Sequence, residues 1–501
     1  MPRLDLVLVN PGGQRRVYQS LSSALTAFEP PVWAGLMATF VRERGYSVDL
    51  VDASVLDLSA EEVAAAVAER DPVLAAVVVY GHQPSASTQA MPAASAIATA
   101  IKQAEPTRPV LLVGGHVAAL PERTLAEERA DFVCAGEGPL TLVALIEALR
   151  NGGRNLAGVP DLLRRDNGGI HAGRAAPLVK DLDVEMPGLA WDLLPMEGYR
   201  AHNWHCFGGL SRQPYASLYT TLGCPYRCTF CCIQAPFKSG EKALGQKPGA
   251  NSYRYWSPRT VVDQIGLLVE RYGVRNLKIA DEMFVLSPRH VGGICDLLIE
   301  RGYDLNIWAY ARVDTVRDDM TDKLKRAGFN WLAFGIEAAS ERVRKDVDKA
   351  FSQEEIFATL GKVRAAGINV IANYIFGLPE DDQASMQQTL DLALELNAEF
   401  ANMYCSMAYP GSPLYDRALR EGWPLPARWS GYSQHSVDSL PLPTKHLSAG
   451  DVLRFRDQAF MAYFTSARYL GMVEAKFGPE TVADIRRMTS LKLERQLAGT
   501  A

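Results

Sequence analysis

Two series of short apolar stretches, each stretch followed by a segment of helical pattern, constrain the fold of this chain more than any other feature. In the first series, β-branched and leucine-rich runs at 4–9, 47–51, 75–79, 110–113 and 131–134 alternate with amphipathic segments at 31–44, 60–69, 91–104 and 140–149. A helix between consecutive strands returns the chain to the same end of the sheet, so such strands run parallel. The expectation is a Rossmann-like α/β unit over 1–150 with a five-stranded doubly wound sheet, whose ligands bind where the strands end. Those ends carry four loops: Asn10-Pro11-Gly12-Gly13, Tyr80-Gly81-His82, Gly114-Gly115-His116 and Gly136-Glu137-Gly138. A single glycine loop is as often a tight turn. Four at successive strand ends favour a site, where backbone without Cβ atoms can approach a bulky ligand.

The second series has candidate strands at 217–222, 276–280, 306–310, 331–336, 370–376 and 400–407, and helices at 257–272, 288–301, 318–327, 353–366 and 381–396. Ser257 is placed as the N-cap of the first helix, with Pro258 at its first position. Six βα-type units over 213–413 predict a partial (β/α)6 barrel with its chemistry at the carboxyl-terminal mouth. The segment 151–212 reads as a linker, with a Gly-rich hairpin around Asp166, Asn167, Gly168 and Gly169 and then a Pro-containing stretch. The tail 414–501 is rich in Pro, Trp and Tyr at first and helical from Ser448, and is expected to cap the barrel. A length of 501 residues suits such a multi-domain plan.

A formal charge of −5 lacks the basic excess that phosphate-backbone binding needs, so nucleic acid is not an expected partner. No apolar run reaches spanning length, and the first apolar run holds an acid, Asp5, ahead of a Pro-Gly-Gly turn. These features predict no membrane contact and a cytoplasmic protein. Of eight cysteines (Cys134, Cys206, Cys224, Cys228, Cys231, Cys232, Cys295 and Cys405), four crowd into residues 224–232, which indicates metal or redox chemistry rather than disulfides.

Cys224, Cys228 and Cys231 have CxxxCxxC spacing just after a candidate strand. Three thiolates from one loop can ligate three irons of a 4Fe-4S cluster and leave the fourth iron open. Zinc would call for a second ligand pair, which the sequence lacks, and Cys232 reads as a structural thiol. With Phe230 before the third cysteine, the loop resembles the motif of the radical S-adenosylmethionine (SAM) superfamily, and the likeness runs from about 217 to 412. It implies that Asp281 and Glu282, ending the second strand, bond the amino group of SAM, since an ammonium requires an acid. It further implies that Arg312 and Glu337, after the third and fourth strands, contact the carboxylate and ribose, and that the turn at Gly377 lies by the adenine.

The first 150 residues, in turn, resemble the cobalamin-binding domain that precedes the barrel in one branch of that superfamily. Mutase relatives carry a DxHxxG loop after the first strand, whose histidine ligates cobalt; here Asn10-Pro11-Gly12-Gly13-Gln14-Arg15 has none. The lower cobalt ligand is therefore open, with His82 and His116 as the loop histidines that could approach the corrin. The resemblance implies an enzyme in which SAM cleavage at the cluster yields a radical that takes hydrogen from an unactivated carbon, and methylcobalamin supplies a methyl group. C-methylation of a small polar substrate (a sugar, nucleotide or natural-product precursor) is the first expectation, with a reducing partner such as flavodoxin or ferredoxin. An epimerase, rearrangement or sulfur-insertion enzyme is the alternative; Cys405, near the mouth-facing end of the sixth strand, is placed to return a hydrogen atom. Aromatic and polar residues at 202–206 and 429–435 are candidate substrate contacts.

Overall fold

The computed structural model describes residues 3–13, 17–21, 25–166, 168–247 and 249–497. Gln14, Arg15 and Asn167 lie outside the described residues. The amino-terminal sheet is built from β1 (Leu6–Asn10), β2 (Val48–Asp52), β3 (Leu74–Val79), β4 (Val110–Gly114), β5 (Phe132–Cys134), β6 (Leu162–Asp166) and β7 (Gly169–Ala172), in the order β2-β1-β3-β4-β5-β6-β7. The first five strands are parallel, as the alternation requires. The expectation of five strands needs correction, because β6 and β7 join antiparallel at the β5 edge. They come from the segment read as linker, so the sheet runs to Ala172. Leu162 and Leu163 are buried by this pairing, which gives the hairpin its apolar anchor.

Local chemistry fixes the helices between the strands. Helix Ala60–Arg70 starts on a capping box in which Ser59 accepts from Glu62 N–H while Glu62 accepts from Ser59 N–H. Helix Ala86–Ala104 begins before the expected Met91 and carries Pro92 inside it, held by a buried face that includes Ala86, Thr88 and Met91.

The second sheet comprises β8 (Tyr215–Leu218), β11 (Asn276–Ile279), β12 (Asn306–Ala311), β13 (Phe329–Glu337), β14 (Asn369–Phe376) and β15 (Phe400–Cys405), all parallel, in the order β15-β14-β13-β12-β11-β8. This is the expected open six-stranded barrel. Its first strand, expected at 217–222, divides in two. After β8 the chain leaves the sheet, and β9 (Thr221–Gly223) pairs antiparallel with β10 (Tyr253–Tyr255). Asp281 is the cause: its Oδ1 accepts from the N–H groups of Thr220 at 2.6 Å and Thr221 at 3.1 Å. Ser257 caps helix Pro258–Tyr272 as expected, accepting from Thr260 N–H.

Trp204 plugs the lower barrel, with ring centroids 5.2 Å from Trp308, 5.5 Å from Trp331 and 5.7 Å from Phe400. Helices Ala449–Phe464, Ala467–Phe477 and Pro479–Ser490 form the helical carboxyl-terminal region. Phe455 of the first packs on Phe376, and its Tyr463 hydroxyl donates to Ala398 O at 2.6 Å, which seats the helix on β14 and the base of β15. One continuous core joins Leu8 and Trp33 of the first unit to Phe334 and Phe376 of the barrel. Among the described residues, no helix is long and apolar enough to cross a membrane.

Candidate functional site

The cysteine loop is positioned at both ends by buried polar bonds. Gly223, just before Cys224, has φ +88°, and a Cβ there would lie 2.2 Å from Ser252 O, so this close approach to the β10 side of the hairpin requires glycine. Gln234 Oε1 accepts from Cys224 N–H at 3.4 Å, while its amide donates to Glu241 Oε1 at 3.0 Å and Ser252 O at 3.3 Å. Downstream, Thr229 O accepts from Leu414 N–H at 2.8 Å. All three motif cysteines are free thiols; Cys224 is buried, and Cys228 and Cys231 are half-buried. Burial raises all three above an ordinary thiol, Cys224 to about 11. Among the described residues, no three His, Cys, Asp or Glu side chains converge tightly enough to hold one metal ion. Three thiols on one loop suit a cubane, whose thiolates bind different irons. Cys232 is buried and pushed up to about 12, in keeping with a structural thiol.

The acids and cations expected around SAM have unequal fates. Asp281 is consumed: besides the two backbone bonds, it accepts from the Thr220 hydroxyl, which also meets His290 Nε2 at 3.0 Å. It latches the base of the cysteine loop, with three of its four acceptor positions taken up by Thr220 and Thr221. Glu282 is different. Burial raises it to about 8, partly opposed by Lys278 and reinforced by Asp281, and no hydrogen bond among the described residues offsets the shift. Arg312 forks onto Asp314 with bonds of 2.9 and 3.0 Å, stacks 3.8 Å over Tyr226, and brings Nη1 to 3.9 Å from Cys228 Sγ. Glu337 holds φ +65°, rare for a side-chain-bearing residue, and is ion-paired with Lys349, whose Nζ also donates to Gly335 O at 3.1 Å. Both residues expected to touch SAM thus have protein partners. Phe230 packs against Val343, Val347 and Leu378. Gly377 N–H donates to Asp381 Oδ2 at 3.0 Å, and a Cβ at Gly377 would strike Val452 at 2.4 Å, so this glycine admits the carboxyl-terminal helix.

The four glycine loops of the first unit also divide. Asn10 to Gly12 and Tyr80 to His82 line a cavity of about 280 Å³ between this unit and the barrel. Gly114, Gly115 and His116 do not line it. Gly114 passes so close to β3 that a Cβ would meet Val79 O at 2.0 Å. His116 is buried against Thr88 Oγ1 at 3.2 Å and Trp429 at 4.4 Å, and burial lowers its pKa to about 3. Glu137 is a structural ion pair, corrected from its place in a ligand loop: it accepts from Arg254 at 2.6 Å and Val179 N–H at 3.1 Å. Gly136 and Gly138 sit against Asp161 and Met37, with no room for a Cβ.

The barrel side of the cavity contributes Lys278, Trp308, Tyr310, Asn373, Asn402 and Tyr404; His202, Asn203, Trp204, Gln434 and His435 join them from the two expected contact segments. Cys405 does not. Asn402 and Tyr404 face inward, and Cys405 packs on the opposite side among Val452 and Leu453, its thiol pushed up to about 12 by burial. Its expected role as a hydrogen-atom donor is corrected to that of a core residue. Glu29, Lys278 and Tyr18 were not singled out from the sequence; a lysine inside the apolar strand 276–280 was the available signal.

Comparison with known proteins agrees with this arrangement. The family model for the radical SAM superfamily matches residues 218–393, and that for the B12 binding domain matches residues 23–146. The chain is a cobalamin-binding-domain-containing radical SAM enzyme. It is 26% identical over 442 residues to an uncharacterized methyltransferase of Pyrococcus horikoshii, covering 88% of this chain and 89% of that protein. It is 25% identical over 406 residues to the anaerobic magnesium-protoporphyrin IX monomethyl ester cyclase of Rubrivivax gelatinosus, covering 79% and 68%. The fold resembles that of the radical SAM methyltransferase TsrM from Kitasatospora setae, with cobalamin and a [4Fe-4S] cluster bound (TM-score 0.67, 18% identity, 94% of this chain and 90% of that one).

The cofactors of this radical SAM enzyme are a 4Fe-4S cluster, SAM and cobalamin. The residues fit them. Three free thiols on one loop suit the cluster, and Glu282 offers an open carboxylate for an ammonium. Carboxamides of Asn10, Gln83, Gln89 and Gln434 line the interdomain cavity, matching the amide fringe of a corrin. Among the described residues, Asn203 Nδ2 and His435 Nδ1 are buried in its wall without a partner, ready for a polar ligand.

Proposed function

We propose that this enzyme is a C-methyltransferase acting on an unactivated carbon of a small polar substrate. The observation that carries the reading is the single cavity shared by the β1 and β3 loops of the cobalamin-binding domain and the inner wall of the radical SAM barrel. When bound, the cluster and SAM supply a carbon-centred radical, and cobalamin supplies a methyl group. The chain's own residues bind and orient. Cys224, Cys228 and Cys231 hold the cluster, Glu282 takes the SAM ammonium, and the Gly81-His82 loop flanks the corrin. Tyr310, Tyr404 and the Asn373–Asn402 pair, bonded at 2.9 Å, present hydroxyl and amide groups to the substrate. The aromatic plug around Trp204 excludes water from below.

Substrates such as a sugar or natural-product precursor match these neutral hydrogen-bonding groups better than a nucleotide, since the cavity's Lys278 is already paired with Glu29. TsrM has been solved with tryptophan as substrate, another small molecule. The similarity to a cyclase favours a second reading, radical chemistry without net methyl transfer; burial of Cys405 against the outer helix counts against its epimerase form. Anaerobic reconstitution with substrate candidates tests the proposal. Methyl transfer requires S-adenosylhomocysteine and 5′-deoxyadenosine together with methylated product, and deoxyadenosine alone with a consumed substrate would overturn it. Cys224→Ala should abolish both products.

A further inference from the structure

Lys278 sits in the middle of β11, yet its ammonium leaves the barrel wall to meet the first domain. Nζ lies 2.9 Å from Glu29 Oε2 and 3.1 Å from Oε1, and donates to His82 O at 3.1 Å. Both side chains are almost fully buried, 3% and 5% exposed. Glu29 lies on the entry to helix Val32–Arg42 of the cobalamin-binding domain, and His82 lies on the loop after β3. All three ammonium protons therefore have acceptors on the other domain. His202 completes the group: its Nδ1 accepts from Ala27 N–H at 3.2 Å, so Nε2 carries the proton and faces Glu29 at 3.9 Å.

A buried ion pair is a poor means of adding stability, because desolvation of two charges consumes most of their attraction. Its geometry is more informative. Lys278 precedes Asp281 by three residues, and Asp281 binds the backbone of Thr220 and Thr221 at the base of the cysteine loop. One short strand is thus fastened at its middle to the loop after β3 and at its end to the segment that enters Cys224. Glu282, the open carboxylate, follows in the turn after this strand.

We propose that Lys278, with Glu29, is a positioning residue that holds the His82 loop against the barrel and so sets cobalamin in register with the cluster and SAM. It acts through the loop and touches no reacting atom. The inference rests on cobalamin occupying the interdomain cavity, and it does not require methyl transfer to be the outcome.

The test uses the full chain, reconstituted anaerobically, with hydroxocobalamin as probe. Lys278→Met should keep its iron content, while its affinity for hydroxocobalamin falls at least tenfold and the bound cobalamin spectrum changes. Lys278→Arg should recover part of the affinity. Native cobalamin affinity and an unchanged spectrum in Lys278→Met would overturn the proposal. If that variant fails to fold, the Glu29→Gln, Lys278→Met double variant leaves no lone buried charge; weak binding again supports the tether, and native binding refutes it. The native protein gives an independent measure: adding hydroxocobalamin should slow amide exchange in both 80–83 and β11, and protection confined to the first domain would count against coupling. A native protein that takes up no cobalamin at all would instead sink the cofactor reading on which the inference stands.

Discussion

Glu282 offers the sharpest quantitative test of how this enzyme holds SAM. Burial lifts its carboxyl from 4.5 to about 8, with Lys278 pulling down and Asp281 pushing up; Tyr219, Tyr310, Cys231 and Cys232 feel its charge. An α-amino group titrates at about 8 as well. Below that pH the carboxyl must release a proton before it can pair with the ammonium; above it the amine must take one up. SAM affinity should therefore pass through a maximum near pH 8 and fall tenfold per unit on each side. At pH 6.5 the carboxyl is only about 3% ionised, whereas at pH 8 about half the carboxyl is ionised and about half the amine protonated, so affinity drops about eightfold from its maximum, or about 1.2 kcal/mol. Anaerobic calorimetry in buffers of different ionisation enthalpy should count one proton released at pH 6.5. Glu282→Gln should remove the acid limb and bind SAM with no proton release there. The stability sign follows from the same shift. The unfolded carboxyl loses its proton at 4.5 and the folded one at about 8, so the unliganded protein loses stability as pH rises through that window. A native affinity flat between pH 6 and 8, or an acid limb surviving in Glu282→Gln, would refute the assignment of this carboxylate to SAM.

Three further outcomes follow from the geometry. Gly223→Ala forces a Cβ to 2.2 Å from Ser252 O at φ +88°; it should cost at least about 2 kcal/mol in urea unfolding and lower the iron bound per chain. Glu137→Gln leaves Arg254 buried without its counter-charge, and melting should show a loss of about 3 kcal/mol; a loss under about 0.5 kcal/mol would mean the pair is solvated in solution. Cys405→Ala should keep the SAM product ratio and cost about 1 kcal/mol of stability, whereas a changed ratio would restore the thiol to the mechanism.

The strands were legible because their residues leave little choice. Runs such as 74–79 are buried throughout, and a fully buried parallel strand reads as an unbroken apolar stretch. The hairpin β6–β7 was legible as a hairpin but not as part of the sheet, since Arg164 and Arg165 interrupt its apolar pattern and its pairing partner, β5, lies about thirty residues earlier. The break between β8 and β9 was equally hidden: it is made by Asp281, sixty residues downstream, which takes two N–H groups out of the barrel ladder. Sequence spacing located the cysteine loop because its three cysteines lie close together in the chain, within residues 224–231.

For the charged residues at strand ends, type was legible and availability was not. Arg312, Glu337, Glu137 and Asp281 all stand where a cofactor contact is plausible, and each is engaged by a protein partner at a separation of 2 to 117 residues. Strand parity would have placed Cys405. On β15, Asn402 and Tyr404 share the inner face, so Cys405 must point outward to the helix that buries it. Asp281 and Glu282 follow the end of β11, and Asp281 alone of the two is bonded to Thr220 and Thr221, which is why two adjacent acids have opposite roles. With Lys278 neutralised by Glu29, Glu282 is left as the local charge that a cationic ligand can meet. Removing Glu29 would free Lys278 to pair with Glu282 instead, so Glu29→Gln should weaken SAM binding without touching SAM.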